Sequence, residues 1–108
     1  SHRRLVFLRD EPRKYNPNLH FVVRDAVDAV NAFLQEGKKV VVHCHGGRSR
    51  TALVLKAWYM QHENKTHDEA HEWLSDTWSH YATWNDSFWD YLENEWTAHL
   101  SSNQKENK

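Results

Sequence analysis

The stretch Val40-Val41-Val42-His43-Cys44-His45-Gly46-Gly47-Arg48-Ser49-Arg50-Thr51 constrains this chain more than any other. A β-branched run ends at a cysteine, and a short loop of small, basic and hydroxyl residues follows. Ala52 to Met60 is then apolar at helical spacing, which predicts a helix. A strand, a tight loop and a helix aim backbone N–H groups and a helix N-terminus at one point, and such a point binds anions. The field that attracts an anion also favours thiolate over thiol, so a cysteine there has a lowered pKa. A thiolate beside an anion site suggests a nucleophile for a phosphate ester.

Spacing sharpens the reading. Five residues separate Cys44 from Arg50, with Gly47 midway. That is enough chain to close around a tetrahedral anion while the arginine folds back over it. Arg50 can grip two oxygens in a bidentate fork, which lysine cannot do. Gly46 and Gly47 allow close backbone approach and positive φ. His45, Arg48 and Ser49 complete the loop whose amides would hold the anion, and His45 and Arg48 add positive charge at its mouth. Thr51 puts a hydroxyl near the sulfur at the first helical turn. His43 can fix the loop through its ring nitrogens.

Upstream, Leu5 to Leu8 reads as a short buried strand ending at the polar turn Arg9-Asp10-Glu11-Pro12. Asn16 and Pro17 predict a helix start, as cap and first position. Leu19, Val22, Val23, Ala26, Val27, Val30, Phe33 and Leu34 form one apolar face, and Gly37 ends the helix. The order strand, helix, strand (Val40 to Val42) predicts an α/β fold, a parallel sheet flanked by helices with a right-handed crossover. Asp10 and Cys44 then share the rim where open α/β sheets bind ligands. Expulsion of an alkoxide or phenoxide needs an acid, and Asp10 is placed to supply it, with Glu11 next.

His43-Cys44-x-x-Gly47-x-x-Arg50-Thr51 resembles the signature of the cysteine-dependent protein tyrosine and dual-specificity phosphatases, with a match at each signature position. His45, Gly46 and Arg48 make the loop look like that of small bacterial phosphatase domains. The resemblance implies a phosphomonoesterase that forms a phosphocysteine on Cys44. Arg50 and the loop amides would hold the equatorial oxygens, Asp10 would be the general acid, and Thr51 would help the thiolate leave. It implies no metal and no cofactor. Its substrate would be a phosphorylated protein or a small phosphoester. The usual N-terminal strands of that fold are missing or truncated here, which leaves open sheet edges that a second copy could cover. Two other classes stay open: a non-catalytic phosphate-binding module, and rhodanese-type sulfur transfer, which also uses a loop cysteine.

The C-terminal half reads as helical. Thr66-His67-Asp68-Glu69 is a capping box, followed by Ala70, Trp73, Leu74 and Trp78 on an inner face. Thr83 or Asn85 caps a last helix with Phe88, Leu92, Trp96 and Leu100 on one stripe, and Trp84 and Trp89 could staple its start. His67 and His71 lie at i, i+4 and could share a metal, although a solvated helix face is the simpler expectation. Six tryptophans, four tyrosines and four phenylalanines in 108 residues imply a small core built from large rings, or an aromatic wall beside the loop. The length suggests a single domain over residues 1–100 with a polar, disordered tail at 101–108. A net charge of −1 and the lack of a long apolar run argue against nucleic-acid and membrane partners. One cysteine fits a reducing cytoplasm.

Overall fold

The computed structural model describes residues 12–37, 49–79, 81 and 85–106. A 3-10 turn, Arg13–Tyr15, leads into α1 (Leu19–Gln35); α2 (Ser49–Glu63) and α3 (His67–Thr77) follow. The last helical rod is made of α4 (Asp86–Asp90), a π-helical stretch (Tyr91–Trp96) and α5 (Thr97–Glu106). Helix therefore continues into 101–106, where the sequence lacks periodicity.

Among the described residues there is no strand. The expectation of a parallel sheet flanked by helices is corrected accordingly: what is seen is helix packed on helix. The physical reason lies in the apolar faces. Leu19, Val23 and Val27 of α1, assigned above to cover a sheet, pack in one cluster with Leu53, Ala57 and Met60 of α2 and Phe88, Tyr91, Leu92 and Trp96 of the C-terminal rod. The segments read as strands, 5–8 and 40–42, lie outside the described residues, and with them the sheet edges invoked for a second copy.

Local signals hold in part. Helix α1 begins at Leu19 rather than at Pro17. Asn16 is buried, and its carbonyl accepts from Leu19 N at 3.0 Å, so the Asn-Pro pair forms the turn before the helix. Gly37 takes φ +74° just past the end of α1, the left-handed position that favours glycine. Leu34, expected on the buried face, is 42% exposed. Asn64 ends α2 at φ +56°. The capping box is formed in full: Glu69 N donates to Thr66 Oγ1 at 3.2 Å and Thr66 N to Glu69 Oε1 at 3.0 Å. Asn85 caps α4 by accepting from Phe88 N at 3.1 Å. Thr83 and Trp84 lie outside the described residues.

The π-helical stretch explains how Tyr91, Leu92 and Trp96 are all buried. A wider turn advances less per residue around the axis, so more of its side chains reach one side. Among the described residues Trp96 is the largest fully buried side chain, and its Nε1–H donates to the Ala57 carbonyl at 3.1 Å. That bond ties the C-terminal rod to the middle of α2.

Candidate functional site

Helix α2 carries the described part of the site. Ser49 is its first residue, Arg50 and Thr51 follow in the first turn, and no acidic residue stands there. The first turn of a helix presents amide N–H groups without intrahelical partners, at the positive end of the macrodipole. Here that end also bears a guanidinium. Thr51 is buried and Arg50 half-buried. Asp10, Glu11, His43, Cys44, His45, Gly46, Gly47 and Arg48 lie outside the described residues.

What the structure does bring together is the seat of α2, and most of it was not foreseen from sequence. Lys56 sits in the apolar stripe Ala52, Leu53, Ala57, Met60 and is 4% exposed. Its Nζ lies 2.9 Å from His67 Nε2, and His67 Nδ1 lies 2.9 Å from Glu93 Oε1. An ammonium has only donors, so Nε2 accepts; the ring proton sits on Nδ1 and is donated to the carboxylate. Above the same ammonium lie the rings of Trp89 at 4.7 Å and Tyr81 at 5.3 Å. His71 completes the group, with Nδ1 2.7 Å from the Tyr81 hydroxyl. One chain of polar contacts thus joins α2, α3 and the π-helical stretch.

Electrostatics fix the charge states. Burial, opposed only in part by Glu93, lowers Lys56 to about 8. Burial, then the Lys56 ammonium, then His71 lower His67 to about 3. His67 is therefore neutral at pH 7 beside a charged lysine. Burial and the neighbouring Asp68 raise Glu93 above the ordinary carboxylate range. The expectation that His67 and His71 line a solvated face is corrected: His67 is buried, and both rings are spent on protein partners. Among the described residues no group of three metal-ligating side chains could hold an ion. The one sequence signal for this network was a lysine placed inside an apolar helical stripe.

A second polar group anchors α1. His20 Nδ1 lies 2.8 Å from the Tyr91 hydroxyl, and the Arg13 guanidinium meets Glu95 Oε1 at 2.7 Å. Burial lowers the His20 pKa and raises that of Tyr91. These contacts lie among α1, the 3-10 turn and the C-terminal rod, and they use none of the signature residues.

Comparison with known proteins gives a consistent result. The family model described as "Dual specificity phosphatase, catalytic domain" matches residues 5–97. A Candida albicans protein named "Probable tyrosine-protein phosphatase" is 32% identical over 63 residues, which is 58% of this chain and 11% of that protein. An Amsacta moorei entomopoxvirus protein named "Putative tyrosine-protein phosphatase AMV078" is 40% identical over 42 residues, 39% of this chain and 26% of that protein. The chain thus spans about a tenth and about a quarter of these relatives. No solved structure gives a significant match.

Proposed function

Since the chain belongs to the dual-specificity phosphatase catalytic-domain family, we propose that it is a phosphomonoesterase acting through a phosphocysteine. The observation that carries this reading is a family match across residues 5–97 that contains every signature position, from His43-Cys44 through Gly47 to Arg50-Thr51. Support comes from α2, which starts at Ser49 and so sets Arg50 and Thr51 on its first turn, the positive end of the helix dipole, which attracts anions.

The Cys44 thiolate attacks phosphorus in line and the ester bond to the leaving oxygen breaks. Asp10, or Glu11 in its place, gives that oxygen its proton. Arg50 and the amides of His45, Gly46, Gly47, Arg48 and Ser49 hold the three equatorial oxygens as charge develops. Water then displaces the sulfur, losing its proton to the same carboxylate. Thr51 stabilises the departing thiolate, and His43 holds the loop.

The family supports a phosphorylated substrate; our reading is a phosphorylated protein, with phosphotyrosine and phosphoserine or phosphothreonine both in scope, or a small phosphoester. The single cysteine supports a cytoplasmic location. Separately, no described helix is long and apolar enough to cross a membrane. The resemblance to bacterial domains is a reading of the loop alone, since the relatives above are fungal and viral. The test is Cys44→Ser. It should abolish turnover of an aryl phosphate while tungstate still binds. Residual turnover in that variant refutes the mechanism. Tungstate binding by the unaltered chain without any turnover would instead mark a phosphate-binding module.

A further inference from the structure

The α2–α3 hairpin carries a half-buried ring cluster; its Trp58 and Tyr59 pack against the core, and the proposed reaction uses none of its rings. Tyr59 and Trp73 stack with centroids 4.2 Å apart and planes 4° from parallel. Trp58 lies 6.4 Å from Trp73 and stacks on exposed His62 at 4.8 Å. Trp58 is also pinned by its Nε1–H, which donates to Asn31 Oδ1 at 3.0 Å, while Asn31 Nδ2 donates to Gln61. The rings are half-buried and Trp58 is tied to α1, so their orientation is set before anything binds.

Charge around these rings is one-sided. Residues 58–79 contain five carboxylates, one lysine and no arginine. That lysine, Lys65, pairs with Glu69 at 3.9 Å. Glu63 lies one turn beyond Tyr59, Asp76 one turn beyond Trp73, and Glu72 next to Trp73; all three are exposed. Among the described residues none of the three has a cationic partner. Elsewhere, cations of this chain sit over rings: Lys56 over Trp89 and Tyr81, Arg13 over Tyr91, Lys14 over Tyr15. Among the described residues none sits over Tyr59 or Trp73.

We propose that this stacked-ring ridge is a docking surface for an arginine-bearing peptide segment of a partner protein. A guanidinium is planar and weakly hydrated, so it stacks on an indole or phenol face and still reaches a carboxylate at its edge. Lysine offers a compact, strongly hydrated charge and gains less from such a face. Unpaired acids beside fixed rings therefore select for guanidinium and repel acidic segments.

The probe is a short glycine–arginine peptide titrated into the full chain, read by the indole N–H cross-peaks of Trp58 and Trp73. Both cross-peaks should move with a common affinity. A lysine-for-arginine peptide should bind about fivefold more weakly. The doubly reversed variant Glu72→Lys/Asp76→Lys alters only exposed positions and should weaken the arginine peptide by about tenfold. Tyr59→Leu should remove the preference for arginine over lysine. Equal affinity for both peptides, no effect of charge reversal, or shifts confined to other tryptophans would each overturn the proposal. Cross-peaks that move with protein concentration alone would overturn it in favour of self-association. The readout is binding, so it stands or falls apart from phosphatase turnover.

Discussion

Acid should unfold this domain through one buried ring. His67 is held at about 3 in the folded chain and returns to an ordinary 6.5 when unfolded. Between those values the unfolded chain binds a proton that the folded chain refuses. Stability therefore rises with pH across this window, is fully present above about 6.5, and is lost as pH falls towards about 3. Each pH unit is worth about 1.4 kcal/mol for one such group, so the full window amounts to about 5 kcal/mol. Small domains have about 5–15 kcal/mol in total. The cause is local: a protonated His67 would set a second cation 2.9 Å from the Lys56 ammonium in a buried site.

Other groups modulate the effect without replacing it. His20, also lowered, adds in the same direction. Glu93, raised, opposes it, because its folded form takes up a proton earlier than the unfolded one. His67→Gln isolates the ring. Glutamine stays neutral, can accept from Lys56 and can donate to Glu93. Denaturant unfolding followed by tryptophan fluorescence at pH 6.5 and 4.5 should show the parent losing about 2–3 kcal/mol more than the variant. Equal losses, within about 0.5 kcal/mol, would mean that His67 titrates normally and that the buried chain from Lys56 to Glu93 is misread.

Lys56→Met tests the alkaline side. Lys56, lowered to about 8 from 10.5, makes the parent more stable by about 3 kcal/mol as pH rises from 8 towards 10, and the methionine variant should lack that rise. Above about pH 10 the raised Tyr81 and Tyr91 reverse the trend in both proteins, since only their unfolded forms lose protons there. Trp96→Phe removes the donor to Ala57 and part of a fully buried ring, and should cost about 1–3 kcal/mol in chemical denaturation. Trp96→Ala should cost about 3–5 kcal/mol by the same measurement.

Where sequence reading succeeded, a signal was local and one residue decided it. Thr66 with Glu69 fixed the start of α3, Gly37 ended α1, and Asn85 started α4. The stripe Phe88, Leu92, Trp96 was visible at i, i+4 spacing and is buried. The π-helical stretch was not legible, because it shifts Tyr91 inward without any change in that spacing. The sheet expectation came from treating α1 as a crossover between two strands. Its apolar face fits a helical partner equally well, and periodicity along one element does not state what lies against it. For the signature, only Ser49, Arg50 and Thr51 have described positions, so that part of the reading stands on the family match.

The burial of Lys56 was not legible in the sequence. A lysine in a helical stripe of Ala52, Leu53, Ala57 and Met60 reads as a long side chain snorkelling to water. It is buried because three partners from other elements converge on it: His67 from α3, Trp89 from α4 and Tyr81 beyond α3. None of these is near Lys56 in sequence, and each has its own local explanation, so no window of sequence contains the network. Burying a cation is unfavourable unless its partners are all in place, and removal of one leaves the others stranded. The energetic consequence is that α2, the helix that carries Arg50 and Thr51, is held by an arrangement with little tolerance for single changes. Substitutions at Lys56, His67 or Glu93 should therefore be strongly non-additive: losing two should cost less than the sum of losing each alone. Additive double variants would show three independent contacts in place of one coupled chain.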